Sequence, residues 1–133
     1  MSEESEKTIR VVAAVIDDGG CYLITQRREN AVLPLLWEFP GGRVEGGETE
    51  GDALQREMRE RLGAEVAVGQ LISFVSHPYE KYTVDLYLFE CEVLTPDLAC
   101  LAVKDFAWVT SEEFDQYSFT PADEASMSQL LGE

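Results

Sequence analysis

Hydrophobic residues recur along the chain in short runs rich in β-branched and aromatic side chains, a pattern typical of strands. Five such runs occupy residues 9–16, 21–26, 66–77, 82–94 and 106–109. The first run is almost entirely apolar and predicts a buried strand, which ends at the Asp-Asp-Gly-Gly turn of residues 17–20. We therefore expect residues 21–26 to return as the hairpin partner of residues 9–16.

A different spacing begins after residue 48. Four apolar residues recur there at steps of three and four: Ala53, Leu54, Met58 and Leu62. This spacing predicts an amphipathic helix with one buried face. Thr49 can cap its first turn, with Asp52 as the acidic partner, and Gly63 can end it in a left-handed conformation.

The remaining pattern predicts the fold class. Residues 111–113 open a short helical turn, and Pro121 begins a terminal helix that runs to about Leu131. A mixed sheet with one long crossover helix and a C-terminal helix is an α/β sandwich. At 133 residues the chain has the length of one domain, with residues 1–8 as a flexible tail.

The formal net charge of −16 changes the picture of possible partners. No basic stripe is present to neutralise phosphates, so a nucleic-acid polymer is not an expected partner. No segment approaches the roughly 18 apolar residues of a membrane span. Three cysteines without paired metal spacing favour reduced thiols. We expect a soluble, cytoplasmic protein that holds any polyanion locally, through a metal and a few arginines.

Candidate chemistry lies on the predicted helix. Glu57 and Glu60 are three residues apart, so their carboxylates share one face beside a loop framed by Gly41-Gly42 and Gly46-Gly47. Hard oxygen ligands of this kind suit Mg²⁺ or Mn²⁺, which can in turn hold a diphosphate. The alternative is an ordinary solvated helix face, which the neighbouring double-glycine loop disfavours.

Residues 42–64 also resemble a known motif. Gly42, Glu48, the Arg56-Glu57 pair, Glu60 and Gly63 have the spacing of the Nudix box, with Met58 and Ala64 at its aliphatic positions. The resemblance implies a Nudix-type α/β/α sandwich with a mixed sheet. It assigns Gly42, Glu48, Arg56 and Gly63 to structural roles, with Arg56 tying the loop to the helix through Glu48. It also implies that Glu57, Glu60 and the Gly41 carbonyl hold the metal.

The flanks are similar to one branch of that family. Residues 36–42 (LWEFPGG), 23–28 (LITQRR) and 119–124 (FTPADE) resemble the MutT branch, which covers 8-oxo-dGTP hydrolases and CTP pyrophosphohydrolases. The resemblance implies that Arg27 contacts phosphate or base and that Asp123 reads the base. Phe39 could stack on the base or belong to the core. For Arg27 a surface position, and for Asp123 a helix cap, are the alternatives.

The implied reaction is a metal-dependent hydrolysis of a nucleoside triphosphate to the monophosphate and pyrophosphate, with Glu57 and Glu60 as catalytic residues. The protein would act on a small-molecule nucleotide as a monomer or homodimer. Two alternatives stay open. One is hydrolysis of another nucleoside diphosphate derivative, such as a sugar or ADP-ribose conjugate. The other is a catalytically weak nucleotide-binding domain.

Arg61 is the reason for the second alternative. It stands where the motif has a further glutamate. A positive charge about 5 Å from Mg²⁺ would repel it by roughly 6–7 kcal/mol at an effective dielectric of about 20. In addition, the apolar segment 98–103 lies where some relatives carry another acidic ligand. Arg61 either swings outward or serves as a phosphate clamp, or the enzyme is slow or inactive.

Overall fold

The computed structural model describes residues 7–95 and 97–131, which contain eight strands, two α-helices and a 3-10 helix joined by loops. The strands are β1 (Lys7–Val15), β2 (Asp17–Asp18), β3 (Cys21–Gln26), β4 (Trp37–Glu38), β5 (Gly41–Arg43), β6 (Val66–Pro78), β7 (Tyr82–Val93) and β8 (Asp105–Val109). The helices are α1 (Glu50–Leu62), a 3-10 helix (Ser111–Gln116) and α2 (Pro121–Leu131).

The strands form two sheets. The larger is mixed and has the order β5-β1-β7-β6, with β1 parallel to β7 and the other neighbours antiparallel. The smaller sheet is antiparallel, with β3 pairing β2, β4 and β8. The expected α/β class with a mixed sheet and helices packed over it is therefore confirmed.

Strand β1 separates two apolar clusters because alternate side chains point to opposite faces of a sheet. Val12 and Ala14 belong to the cluster that includes Leu54 and Met58 of α1. Ala13 and Val15 belong to the other cluster, which includes Phe114 and Ala122 near the C-terminus. This burial on both faces explains why β1 is an almost continuous apolar run.

Helix α1 begins and ends where its sequence signals predict. The Thr49 hydroxyl accepts a hydrogen bond from the Asp52 N–H at 3.1 Å. Gly63 ends the helix at φ 65°, and its N–H donates to the carbonyl of Arg59. The four predicted apolar residues of the helix are buried: Ala53, Leu54, Met58 and Leu62.

Three expectations about the strands need correction. Residues 21–26 form their hairpin with the two-residue β2 and with Ile16, whose carbonyl accepts from the Leu23 N–H at 3.2 Å, whereas β1 itself lies between β5 and β7. Gly41–Arg43 is a strand rather than a loop. Lys7 and Thr8 belong to β1 rather than to a tail; the rest of that expected tail lies outside the described residues.

No helix in the described part of the chain combines the length and apolar character needed to cross a membrane. Cys21, Cys91 and Cys100 are all free thiols.

Candidate active site

Strand β5 and helix α1 meet at Gly42 and Glu57. A Cβ atom on Gly42 would overlap the Glu57 carboxylate, so only glycine lets that side chain lie against the strand. Gly41 has a separate requirement, because a Cβ there would overlap the carbonyl of Val12 on β1. Gly41 therefore lets β5 lie close to β1, and Gly42 lets the Glu57 side chain of α1 lie close to β5.

Arg56 joins the loop, the strand and the helix. Its Nε and Nη2 donate to the two oxygens of Glu48 at 2.7 and 3.0 Å, and Nη2 also donates to the carbonyl of Arg43 at 2.9 Å. Glu48 in turn accepts from the N–H of Glu45. The Arg56 hydrogen bonds lower the pKa of Glu48 to about 2, and they raise the pKa of Arg56. This is the contact that the resemblance to the Nudix box implies.

Glu57 and Glu60 lie together beside this junction. Nη1 of Arg56 donates to Oε2 of Glu57 and to Oε1 of Glu60, each at 3.2 Å. The Glu57 side chain is 8% exposed and that of Glu60 is 59% exposed. Glu57 is thus fixed against the sheet, whereas Glu60 extends from the same helical face into solvent.

Arg61 does not swing outward. Its Nε donates to Oε1 of Glu57 at 2.7 Å, and its side chain is only 30% exposed. Both oxygens of Glu57 are therefore held by arginines, Oε2 by Arg56 and Oε1 by Arg61. Arg61, which stands where the Nudix box has a glutamate, thus forms an ion pair with Glu57.

These side chains line a cavity of about 290 Å³. Its charged lining residues are four arginines and three glutamates: Arg27, Arg28, Arg56, Arg61, Glu45, Glu57 and Glu60. The chain has seven arginines in all and a net charge of −16. More than half of its arginines thus surround one cavity, whose lining is net positive on a strongly acidic protein.

The residues here fit a divalent cation that keeps several open positions. The described residues contain no cluster of three or more His, Cys, Asp or Glu side chains arranged around a metal. Two carboxylates remain, Glu57 and Glu60, together with the carbonyl of Gly41. Mg²⁺ retains waters and takes one or two protein carboxylates plus substrate phosphates, so three oxygen donors suffice.

The backbone of β5 supports the Gly41 carbonyl as one of those donors. Ala14 N–H donates to the Pro40 carbonyl and Val44 N–H to the Arg10 carbonyl. In antiparallel pairs the hydrogen-bonding direction alternates along the strand. The Gly41 carbonyl therefore faces away from β1, on the same side as the Arg43 carbonyl that binds Arg56.

The segment 98–103 supplies no acid to this cavity. Ala102 and Val103 form part of its wall. Asp97 lines a different cavity, together with Asp17, Asp18 and Glu92. Asp97, which precedes this segment, therefore does not line the cavity at Glu57 and Glu60.

A second cavity of about 270 Å³ shares Arg27 with the first. Much of its wall is apolar or aromatic: Ile9, Val11, Val32, Leu33, Tyr79, Tyr82, Val84, Leu86 and Ala122. Glu38 and Asp123 supply carboxyl groups. The rings of Tyr79 and Tyr82 stack with their centroids 5.2 Å apart. A flat, partly apolar group with polar edges suits such a cavity.

Arg27 stands between the two cavities and is held on two sides. Its Nε donates to the carbonyl of Val32 at 2.6 Å, and its Nη1 lies 3.2 Å from Oε1 of Glu38. The loop that supplies Val32 and Leu33 is strained, since Leu33 and Leu35 adopt positive φ values of 56° and 65°. Arg27 is therefore positioned by the wall of the second cavity and not free on the surface.

Asp123 lines the second cavity and, as a buried tether, also connects the Phe39 backbone to Thr120 through hydrogen bonds. Its Oδ1 accepts from the Phe39 N–H at 3.0 Å, and its Oδ2 accepts from the Thr120 hydroxyl at 2.5 Å. Burial, reinforced by the Glu38 carboxylate, raises the pKa of Asp123 to about 7. Burial also raises the pKa of Glu38, against the opposing effect of Arg27.

The expectation that Phe39 stacks on a base does not agree with the structure. Its ring is 2% exposed and packs edge-on against Phe114, with centroids 6.1 Å apart. In this extended segment Glu38 faces the second cavity, and the next residue faces the core. Among the cavity residues that the sequence did not indicate are Glu38, Tyr79 and Tyr82. Of these three, only Glu38 could have been found, from the alternation of side chains around Phe39.

Comparisons with known proteins identify the family of the chain. The NUDIX domain family matches residues 11–129. The chain is 35% identical over 117 residues to the CTP pyrophosphohydrolase of Escherichia coli K12, covering 88% of this chain and 87% of that protein. It is 30% identical over 126 residues to the nucleoside triphosphatase NudI of Salmonella arizonae, covering 84% and 89% respectively.

A solved structure shows the same fold. The crystal structure of a MutT protein from Methanosarcina mazei Go1 superimposes with a TM-score of 0.85 at 22% identity, over 98% of this chain and 96% of that one. The chain therefore belongs to the NUDIX domain family, as a MutT-like Nudix hydrolase. Enzymes of this family generally use divalent metal ions, so the cavity at Glu57 and Glu60 is the candidate active site.

Proposed function

We propose that the protein hydrolyses nucleoside 5′-triphosphates to the monophosphate and pyrophosphate in a reaction that needs Mg²⁺ or Mn²⁺. The observation that carries the proposal is the pair of neighbouring cavities that share Arg27 in their walls. The arginine-lined cavity suits a polyphosphate, and the tyrosine-lined cavity suits a base. The names of the two curated relatives support a nucleotide triphosphate as substrate.

The metal would be held by Glu57, Glu60 and the Gly41 carbonyl. When bound, it would withdraw charge from the phosphate oxygens and make a bound water more acidic. The arginines of the cavity orient the polyphosphate and neutralise charge that develops on its oxygens. Positioning and charge neutralisation supply most of the rate in such a site.

The chemical step is a displacement at phosphorus. A water oxygen forms a bond to phosphorus, the bridging P–O bond breaks, and its electron pair stays on the departing oxygen. The proton of the water passes to the carboxylate of Glu57 or Glu60, both of which line the cavity. Arg56 holds these two acids in place through Nη1.

The base preference rests on the carboxyl groups of the second cavity. A carboxylate accepts a hydrogen bond from an exocyclic amine, such as the N4 amine of cytosine. We therefore propose cytidine triphosphates and 8-oxo-dGTP as leading substrates, with Asp123 and Glu38 facing the base. Asp123 keeps its tethering role at the same time.

A panel of nucleotides tests the function. Release of pyrophosphate is measured from CTP, dCTP, dGTP, 8-oxo-dGTP, ATP and UTP, and monophosphate formation from UDP-glucose and ADP-ribose, with Mg²⁺, Mn²⁺ and EDTA. We expect metal-dependent pyrophosphate release from one or more triphosphates. Faster cleavage of the sugar conjugate or ADP-ribose would favour the diphosphate-derivative alternative. Binding without cleavage would favour the regulatory alternative.

We further propose one domain that acts in the cytoplasm as a monomer or homodimer, without a nucleic-acid polymer as partner. The acidic net charge and the placement of four of the seven arginines around one cavity support the last of these points, the absence of a nucleic-acid partner.

A further inference from the structure

The side chain of Arg61 is a tethered counter-ion for Glu57. Its Nε lies 2.7 Å from Oε1 of Glu57, four residues earlier on α1. Oε2 of the same carboxylate is held by Nη1 of Arg56. A cation entering from solvent must therefore compete with a guanidinium already bonded to its buried ligand.

Arg61 also has hydrogen-bond donors without an acceptor among the described residues. Within the described residues, Nε is its only side-chain nitrogen with an acceptor, so Nη1 and Nη2 are unengaged. The other three arginines of the cavity each use at least one terminal nitrogen: Arg27 toward Glu38, Arg28 toward the Leu101 carbonyl, and Arg56 toward several acceptors. A guanidinium with two free terminal nitrogens can take a phosphate oxygen pair.

We propose that Arg61 couples metal binding to nucleotide binding by exchanging the Glu57 carboxylate for a phosphate group of the substrate. Without nucleotide, Arg61 occupies Glu57 and holds the metal affinity low. With nucleotide, Arg61 moves to the polyphosphate and frees Oε1 of Glu57. The proposal rests on the proposed function, because it needs a polyphosphate in this cavity.

The coupling is reciprocal, since a ligand that raises the affinity of a second ligand is itself bound more tightly in its presence. A glutamate at this position would add a metal ligand and remove the competitor. The metal affinity of such a site would depend less on whether nucleotide is bound. The charge at position 61 therefore sets whether the metal enters alone or together with the substrate.

The test measures Mn²⁺ affinity by calorimetry for the free protein and for its complex with the α,β-methylene analogue of the best substrate. The variants are Arg61→Gln and Arg61→Glu. Arg59→Gln is the matched control, since Arg59 lies on the same helix, pairs with exposed Glu65 and is absent from the cavity wall. Circular dichroism checks that each variant is folded. The affinity of the analogue for Mn²⁺ in solution is common to all proteins and cancels.

We expect both Arg61 variants to bind Mn²⁺ about tenfold or more tightly than wild type when nucleotide is absent. The ratio of affinities with and without nucleotide should fall by a similar factor, and Arg59→Gln should match wild type. In EDTA, Arg61→Gln should weaken binding of the analogue by about tenfold, because a charge-assisted pair is lost.

Mn²⁺ affinities of free Arg61→Gln and wild type within about twofold of each other would overturn the coupling. An unchanged ratio in that variant would do so as well. Failure of wild type to bind the analogue under any condition is a distinct result, because it contradicts the proposed function itself.

Discussion

The carboxylate of Glu57 lies so close to the Cα of Gly42 that any side chain at position 42 would overlap it. This relationship connects the edge strand of the larger sheet to the acidic face of helix α1. It explains physically why a glycine precedes the loop and why Glu57 is buried against the strand.

Gly42→Ala should therefore damage the site more than the fold. The added methyl group displaces the Glu57 carboxylate, and a misplacement of about 1 Å can cost roughly a hundredfold in rate. We expect kcat to fall by at least about tenfold. Gly51→Ala is the control, because a Cβ there meets nothing within 4 Å and helix propensity favours alanine by up to about 1 kcal/mol. Comparable activity in both variants would contradict the argument.

Arg27 should act mainly on substrate binding. It lines both cavities and is oriented by Val32 and Glu38. Arg27→Gln removes a hydrogen-bonding charge worth about 1.5–3 kcal/mol, so KM should rise by about tenfold or more, with a smaller change in kcat. Steady-state kinetics against Arg59→Gln measures this. If Arg27→Gln had the same KM as Arg59→Gln, Arg27 would be a surface arginine that does not bind substrate.

The stability of the protein should depend on Asp123 between pH 4 and 7. Its folded pKa is about 7, above the ordinary value of 3.8. In that window the folded state holds a proton that the unfolded state has lost. Asp123 therefore stabilises the folded state below pH 4, and this contribution to the free energy of unfolding is lost as the pH rises toward 7. Its slope is at most about 1.4 kcal/mol per pH unit.

Asp123→Asn should flatten this part of the stability profile, because an amide does not titrate. Urea unfolding at several pH values between 5 and 8 measures the slope, with Glu124→Gln as the neighbouring exposed control. The window stays above the acid range in which protonation of Glu48 removes stability. A slope in Asp123→Asn identical to wild type would contradict the raised pKa.

The same substitution tests the proposed contact with the base. An amide exchanges one acceptor for a donor, so substrates that offer an amine should lose the most in kcat/KM. We expect the rank order of nucleotides to change, as measured on the same panel at a single pH. If the wild-type order survives, Asp123 serves only as a tether for Phe39 and Thr120.

Local signals in the sequence predicted the helix and its two ends well. The cap at Thr49 and the stop at Gly63 follow from local spacing, whereas the bond between Arg56 and Glu48 was implied by the resemblance to the Nudix box. Short-range rules apply because the chain itself keeps such residues close. The role of Arg61 was less accessible, since its spacing from Glu57 permits a pair but does not require one.

Contacts between distant segments were not predictable in the same way. The partners of β1 come from β5 and β7, and no local pattern distinguishes them from the nearby β3. The second cavity brings Glu38, Tyr79 and Asp123 together from three separate segments. Of the two roles that the sequence left open for Phe39, the structure places its ring in the core, and Glu38, one position earlier, lines the cavity because neighbours in an extended segment face opposite sides.

Replacement of the central acid is the most direct test of the account. Glu57→Gln keeps the shape of the side chain and removes the charge that binds the metal and accepts a proton. Glu65→Gln serves as the control, because that exposed pair with Arg59 contributes little. Pyrophosphate release from the best triphosphate with saturating Mg²⁺ is compared, after circular dichroism shows both variants to be folded. We predict a loss of at least about a hundredfold for Glu57→Gln and a near-normal rate for Glu65→Gln. A folded Glu57→Gln protein that hydrolyses the nucleotide at nearly the wild-type rate would contradict the account.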